Sequence, residues 1–401
     1  MTNKDKIKYF ASGILVATLW FLVIGGICLL ISSGVIGGKK DTGDGGAVTE
    51  ANIEKIEHFQ RLLETYYYED VPKEDLADGV LYGLMETVGD PYTCYYSVEE
   101  MEELTADIEG IFHGIGAYLE MDYDKGYAKI SGIIDGTPAS ESDIQVGDYV
   151  VEVDGTDTYE MTLTDVVAMI RGDEGTKVTL TLNRNGQEVE VTVTRQNIET
   201  PTVKYELLEN DIAYITVTEF DDVTTSQFVE ALAQMDLDNA KGLILDLRGN
   251  PGGNLSTVVE MCELMLPEGM IVYTEDKYGV RNEYECDGKH KFDLPLVVLI
   301  DGASASASEI MAGAIKDYEL GTLVGTTTYG KGIVQKIFAY DDGSAAKITV
   351  SKYYTPNGYN IHGVGIEPDV VVEFDADLYL EDKTDNQLEK AIEVITEEIN
   401  G

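Results

Sequence analysis

The run Leu294-Pro-Leu-Val-Val-Leu-Ile300 carries no polar side chain, so a strand here has two faces to bury rather than one. Strands of that kind belong to α/β cores, with helices covering the sheet. The run empties into Gly302-Ala-Ser-Ala-Ser-Ala-Ser-Glu309, and Glu309-Ile-Met-Ala-Gly-Ala-Ile-Lys316 then reads as a helix. A serine on such a small-residue turn has an accessible hydroxyl, and the N–H groups at the helix start can hold a developing oxyanion. Ser304, Ser306 and Ser308 alternate along the turn, and all three also suit plain turn or cap positions. A second segment, Gly330-Lys-Gly-Ile-Val-Gln335, sets Lys331 between glycines beside apolar residues. Desolvation there favours the neutral amine, a candidate general base. Together the two segments point to serine catalysis without histidine.

The pair resembles the carboxy-terminal processing peptidases, serine peptidases with a Ser-Lys dyad and a built-in PDZ domain. The motifs that carry the resemblance are Gly249-Asn-Pro-Gly-Gly253 after a strand, Ser306-Ala-Ser-Glu309, and Tyr329-Gly-Lys-Gly332. They occur in the family's order, and the similarity runs from about residue 50 to about residue 375. The resemblance implies Ser306 as nucleophile, Lys331 as base, and Gln335, one helical turn on, as the group orienting the lysine. It also implies an oxyanion site from the N–H groups of Gly252 and Ala307. Glycine at 252 suits a close backbone approach and a positive φ, although a tight turn after Gly242-Leu-Ile-Leu-Asp-Leu247 needs glycine equally.

Two other chemistries compete for these residues. Gly325-Thr-Thr-Thr-Tyr-Gly-Lys331 fits most of a phosphate-binding loop, but Gly332 stands where a Ser or Thr would ligate magnesium. A Ser-His-Asp triad would have to draw on His58, His113, His290 or His362, and none of these sits in a setting that suggests a paired base. No cofactor and no metal are expected, and the cysteines have no metal-site spacing. A Cys262–Cys286 pair remains open.

Charge narrows the partners. The 401 residues hold 28 Lys+Arg against 74 Asp+Glu, a net charge of -46, which repels nucleic acid and anionic lipid alike. Membrane attachment therefore needs a dedicated segment, and Tyr9 to Gly38 contains no charged residue. This run exceeds a signal-peptide core and matches the roughly 20 residues of a bilayer span. It reads as an uncleaved signal anchor. The resemblance puts the catalytic part outside the cytoplasm, with the chain single-pass in the cell membrane.

The expected organisation is a cytoplasmic terminus over 1–8, a transmembrane anchor over 9–38, a Gly/Asp-rich linker over 39–49 and a helical region over 50–107. A PDZ domain follows over 108–196, then a serine peptidase core over 197–376 and a C-terminal helix over 377–401. The fold class is an α/β protease core, a mixed sheet flanked by helices, with an inserted β-rich PDZ domain carrying two helices. Asn52 to Thr87 reads helical, with Ile53, Ile56, Phe59, Leu62, Leu63 and Tyr66 in a stripe best explained as core packing. The resemblance adds that such helices pair two subunits, giving a homodimer. Gly114-Ile-Gly-Ala117 matches a PDZ carboxylate-binding loop: Gly114, Ile115, Gly116 and Ala117 would hold a peptide C-terminus while the peptide adds as a strand. The implied function is a membrane-anchored serine endopeptidase acting on proteins with apolar C-terminal tails. The alternative is a catalytically silent PDZ scaffold that binds such tails without cutting.

Overall fold

The computed structural model describes Gly46 and residues 48–235, 240–290 and 292–400. The expected membrane span over 9–38 lies outside the described residues, among which no helix is long and apolar enough to cross a membrane. The chain divides into two units, one ending at Leu76 and the other running from Ala77 to the C-terminus.

In the first unit, helix α1 (Glu50–Tyr66) starts at Thr49, whose hydroxyl accepts the Asn52 N–H. The helical stretch expected over 52–87 is two helices, because α2 (Lys73–Glu86) starts afresh after Val71-Pro72. Proline disfavours helical geometry in the residue before it. The apolar stripe of α1 is not core: no residue of the helix is buried, and Phe59 is 60% exposed.

The second unit, which begins within α2, continues with β1 (Cys94–Tyr96) and α3 (Val98–Glu109), which is capped by Ser97 and closed by Gly110 in the left-handed conformation. There follow β2 (Ile111–Gly114), β3 (Ala117–Asp122), β4 (Tyr127–Ile133), β5 (Tyr149–Val153), β6 (Thr156–Asp157), α4 (Leu163–Ile170), β7 (Lys177–Arg184), β8 (Gln187–Thr194) and β9 (Gln196–Glu199). Strands β3, β4, β5, β7 and β8 form one sheet in that order, with β6 on β5, while β2 pairs with β9. Ile130, Val150, Leu180 and Leu182 of this sheet pack with Val166 and Ile170 of α4. This is the β-rich domain read from the sequence, with one helix rather than two among its described residues. Residues 138–143 form successive turns, in which the Ser140 and Ser142 hydroxyls donate to carbonyls three residues back.

The remainder of the chain is β10 (Val203–Leu208), β11 (Ile212–Val217), α5 (Thr224–Gln234), β12 (Gly242–Asp246), α6 (Leu255–Glu263), β13 (Gly269–Asp276), β14 (Arg281–Cys286), β15 (Leu296–Ile300), α7 (Ala307–Asp317), β16 (Thr322–Gly325), β17 (Ile333–Ala339), β18 (Ala345–Tyr354), β19 (Val370–Val371), α8 (Ala376–Asp382) and α9 (Asn386–Asn400). The central sheet runs β10-β11-β12-β15-β16-β19, parallel from β11 onward, with β10 antiparallel at one edge. Alternation along each strand explains why its apolar run is unbroken. Leu243, Leu245, Val298 and Ile300 face the core under α5, α6 and α7, whereas Ile244, Val297 and Leu299 face Ala391 and Ile395 of α9. A second sheet, β1-β18-β13-β14 with β17 also on β18, was not read from the sequence.

Candidate active site

The central sheet delivers two loops to one place. After β12, Asn250 is fully buried; its amide nitrogen donates to the Val217 carbonyl and its side-chain oxygen accepts the Gly252 N–H at 2.8 Å. Its own carbonyl accepts from the Ala305 N–H and the Ser308 hydroxyl, both 3.0 Å away. After β15, the Asp301 carboxylate accepts the N–H groups of Gly249, Ala303 and Ser304, each at 3.0 Å. The Gly249–Gly253 loop and the serine loop are thus bonded into one piece.

This arrangement separates the three serines, which turn chemistry alone left equivalent and the family motif resolved in favour of Ser306. Ser304 and Ser308 are fully buried and donate their hydroxyls to the carbonyls of Leu247 and Asn250. Ser306 is only half-buried, and its hydroxyl donates to no backbone carbonyl among the described residues. It stands at the entry to α7 with φ 53° and ψ −112°, a conformation that costs a non-glycine residue about 1–3 kcal/mol. Of the three serines, only Ser306 has the exposure and strain expected of a nucleophile on a sharp strand-to-helix turn.

The strain is held by Glu309, which is fully buried in the first turn of α7. Its carboxylate accepts the backbone N–H groups of Ser306 (2.9 Å), Gly330 (2.7 Å) and Lys331 (2.8 Å) and the Thr328 hydroxyl (2.6 Å). One side chain therefore anchors both the serine and the lysine segments. Tyr353 repeats the link from β18: its hydroxyl lies 3.0 Å from the Ser306 carbonyl and also bonds the carbonyl of Lys331. The Ser-x-x-Glu spacing of a capping box was available in the sequence as a signal for Glu309. Nothing local marked Tyr353.

Lys331 is half-buried, and its ammonium lies 4.6 Å from the centre of the Tyr92 ring. Burial pulls its pKa below the usual lysine value, and the charge of Lys347 adds to that, while Glu309 and Asp90 pull the other way. The Asp90-Pro-Tyr-Thr93 segment that forms this wall is itself fixed, since Asp90 accepts from the Tyr92 N–H and the Thr93 hydroxyl.

Two expectations need correcting in their geometry. Gln335 is not one helical turn from Lys331: it lies on β17, at a bulge in the pairing with β18, and its amide donates to the Thr349 hydroxyl at 3.2 Å. Extension along an edge strand replaces the helix because Ile333 to Ala339 find ladder partners on β18. Gly252 does reach the serine turn. A Cβ there would lie 2.7 Å from both the Ala305 oxygen and the Ser306 Cβ, and φ is 106°. Its N–H, however, is occupied by Asn250, whereas the Ala307 N–H makes no backbone bond among the described residues.

The Gly114–Ala117 loop also takes shape. Ile115 is buried, Gly116 has φ 81°, and a Cβ on Gly116 would run into Thr137. Gly114 ends β2, and Ala117 opens β3, whose outer edge is unpaired among the described residues and flanked by α4. Of the histidines, His58, His113 and His290 are exposed on other elements. His362 backs onto the lysine loop, where a Cβ on Gly332 would lie 2.6 Å from its nitrogen. Cys262 and Cys286 are both free thiols, so that pair is unjoined. Among the described residues, no group of His, Cys, Asp or Glu is arranged to hold a metal ion.

A strained serine at a helix start, a desolvated lysine and backbone donors make up the equipment of a serine-type hydrolase. Residues 211–372 match the model of peptidase family S41, residues 129–184 that of a PDZ domain, and residues 35–100 that of the activating protease CtpB N-terminal domain. The chain is 35% identical over 345 residues to the carboxy-terminal processing protease CtpA of Bacillus subtilis, covering 85% of this chain and 72% of that protein. It is 37% identical over 296 residues to the carboxyl-terminal-processing protease of Synechocystis, covering 72% and 69%. An S41 protease candidate from Bacteroides fragilis shares the fold, with TM-score 0.51 and 17% identity over 82% of this chain and 98% of that one. The chain belongs to peptidase family S41, a family of serine-type peptidases, and carries a PDZ domain.

Proposed function

We propose that the protein is a membrane-anchored carboxy-terminal processing endopeptidase, with Ser306 as nucleophile and Lys331 as general base. The observation that carries this reading is the Glu309 carboxylate, which accepts the backbone N–H groups of both residues. Neutral Lys331 takes the Ser306 proton as the serine oxygen attacks a peptide carbonyl. The lysine ammonium then returns the proton to the leaving amine, and water releases the acyl group by the same steps in reverse roles. The Ala307 N–H faces the oxyanion, and Gly252 joins it once its N–H is shared with the substrate rather than held by Asn250 alone. Gln335 turns to the lysine from its place on β17.

The PDZ groove holds the substrate's C-terminal tail: Gly114 to Ala117 take the carboxylate and β3 takes the chain as an added strand. The uncharged run over 9–38 anchors the protein, with the catalytic part outside the cytoplasm. The exposed apolar stripe of α1 supports a homodimer through the N-terminal helices.

The test uses an unstructured protein ending in apolar residues, incubated with the parent and with Ser306→Ala, Lys331→Ala and His362→Ala variants. Cleavage should vanish in the first two variants and persist in the third. Cleavage that survives Lys331→Ala overturns the lysine base, and tail binding by a parent that never cuts favours the scaffold.

A further inference from the structure

Away from the Gly114–Ala117 loop, the domain has a cleft of about 290 Å³, lined by Met121, Tyr123, Gly126, Glu160, Met161, Thr162 and Leu163. It sits where the far end of β3 meets the start of α4. From Ala117 to Met121 a strand advances about 13 Å. A tail paired along the open edge of β3, with its carboxylate at Gly114–Ala117, therefore brings its third to fifth residue from the end over this cleft.

The lining is chemically lopsided. Met121, Met161 and Leu163 give unbranched or flexible apolar walls, and Glu160 is the only charged residue among the lining groups. Two neighbouring carboxylates already have partners: Glu120 pairs with Lys129 at 3.4 Å, and Asp122 accepts the Tyr149 hydroxyl at 2.8 Å. Lys125, on the same hairpin, has its ammonium 4.0 Å from the centre of the Tyr149 ring. Glu160 makes no ion pair among the described residues. It is held at φ 58° by the bond from its N–H to the Gly126 carbonyl at 2.9 Å.

We infer that this cleft selects a lysine or arginine side chain three to five residues before the substrate's C-terminus. The methylene stem lies along Met121, Met161 and Leu163, and the cation meets Glu160. Long basic side chains are the ones that combine such a stem with a charged head. This inference rests on the reading of the groove as a tail-binding site and adds a charge requirement to it.

The experiment measures binding of labelled ten-residue peptides to the full chain with Ser306→Ala, held in detergent micelles. All peptides end in the same apolar residue, and lysine, norleucine or glutamate is scanned through positions two to seven from the end. Lysine should win over norleucine by about two- to fivefold, at one or two adjacent positions within the third to fifth, and the advantage should shrink as salt rises. Glu160→Gln should erase that advantage while norleucine peptides bind as before, and Glu160→Lys should favour glutamate. A lysine advantage spread evenly over all positions, or one that survives Glu160→Gln, overturns the inference. Peptides with an amidated C-terminus separate the two levels. If amidation abolishes binding while lysine and norleucine remain equal, only the cleft inference fails; if amidation changes nothing, the tail-binding reading fails with it.

Discussion

The buried Glu309 carboxylate accepts the backbone N–H of Lys331 at 2.8 Å, across 22 residues of sequence. The same carboxylate holds Ser306, Gly330 and Thr328, so removing it strands four donors, of which those of Gly330 and Thr328 are buried. At about 1–3 kcal/mol for each orphaned buried donor, Glu309→Ala should cost several kcal/mol and lower the melting temperature sharply. Glu309→Gln should also fail, because its NH₂ group brings donors where donors already converge. A thermal melt with a cleavage assay checks both variants, and an unchanged pair of readings would refute the anchoring role.

In the proposed dyad Lys331 must be neutral to accept the serine proton, so kcat/KM should climb with pH. Burial and the Lys347 charge both lower its pKa, so the midpoint of that climb should lie below the usual lysine value of 10.5. Lys347→Gln removes a like charge and should move the midpoint upward, whereas Asp90→Asn removes an attraction and should move it downward. Shifts in the opposite directions would show that another group governs the profile.

Gly252→Ala places a methyl against the Ala305 oxygen and the Ala307 nitrogen, backbone atoms that cannot swing aside. The loop must move off the serine turn, and if Gly252 serves the oxyanion as proposed, cleavage should fall by about 10²–10³, the cost of losing one such donor. Substrate-tail binding should be unchanged, so KM and kcat measured together test the assignment.

Asp221 is 6% exposed, and its pKa is raised from 3.8 to about 7, first by burial and then by Glu219, Asp107 and Asp222. The folded state therefore favours the protonated acid. Its contribution to stability is complete below pH 4 and is lost as pH rises through 7, by a few kcal/mol at most. Urea midpoints at pH 5 and pH 8 should differ in the parent and differ less in Asp221→Asn. Equal differences in the two proteins would remove Asp221 from the explanation.

Arg248, at the start of the Gly249–Gly253 loop, bonds Asp246, Asp385 and Gln387 and so ties that loop to the C-terminal helix α9. Arg248→Met leaves a buried carboxylate on Asp246 uncompensated and should destabilise the fold by about 3–5 kcal/mol. Adding Asp246→Leu should recover part of that loss, since the uncompensated charge goes with it. A double variant no more stable than the single one would contradict the electrostatic account.

What could be read in advance was local. The apolar runs at Gly242–Asp246 and Leu296–Ile300 are strands, and the helices after them start where turn and cap residues allow. Such elements follow from side-chain periodicity and backbone preference, which act within a few residues. The family motifs around Ser306 and Lys331 were legible for the same reason. Residue chemistry alone left Ser304, Ser306 and Ser308 equivalent and the family motif pointed to Ser306; their tertiary partners give the physical distinction, two carbonyls claiming the outer hydroxyls and none, among the described residues, the central one. The path of Gln335 along a strand, the reach of Tyr353 to both loops and the exposure of the α1 stripe likewise depend on segments distant in sequence. Hydrogen bonds and burial across long separations are settled by packing, and single-chain periodicity carries no record of which distant segment will pack against which.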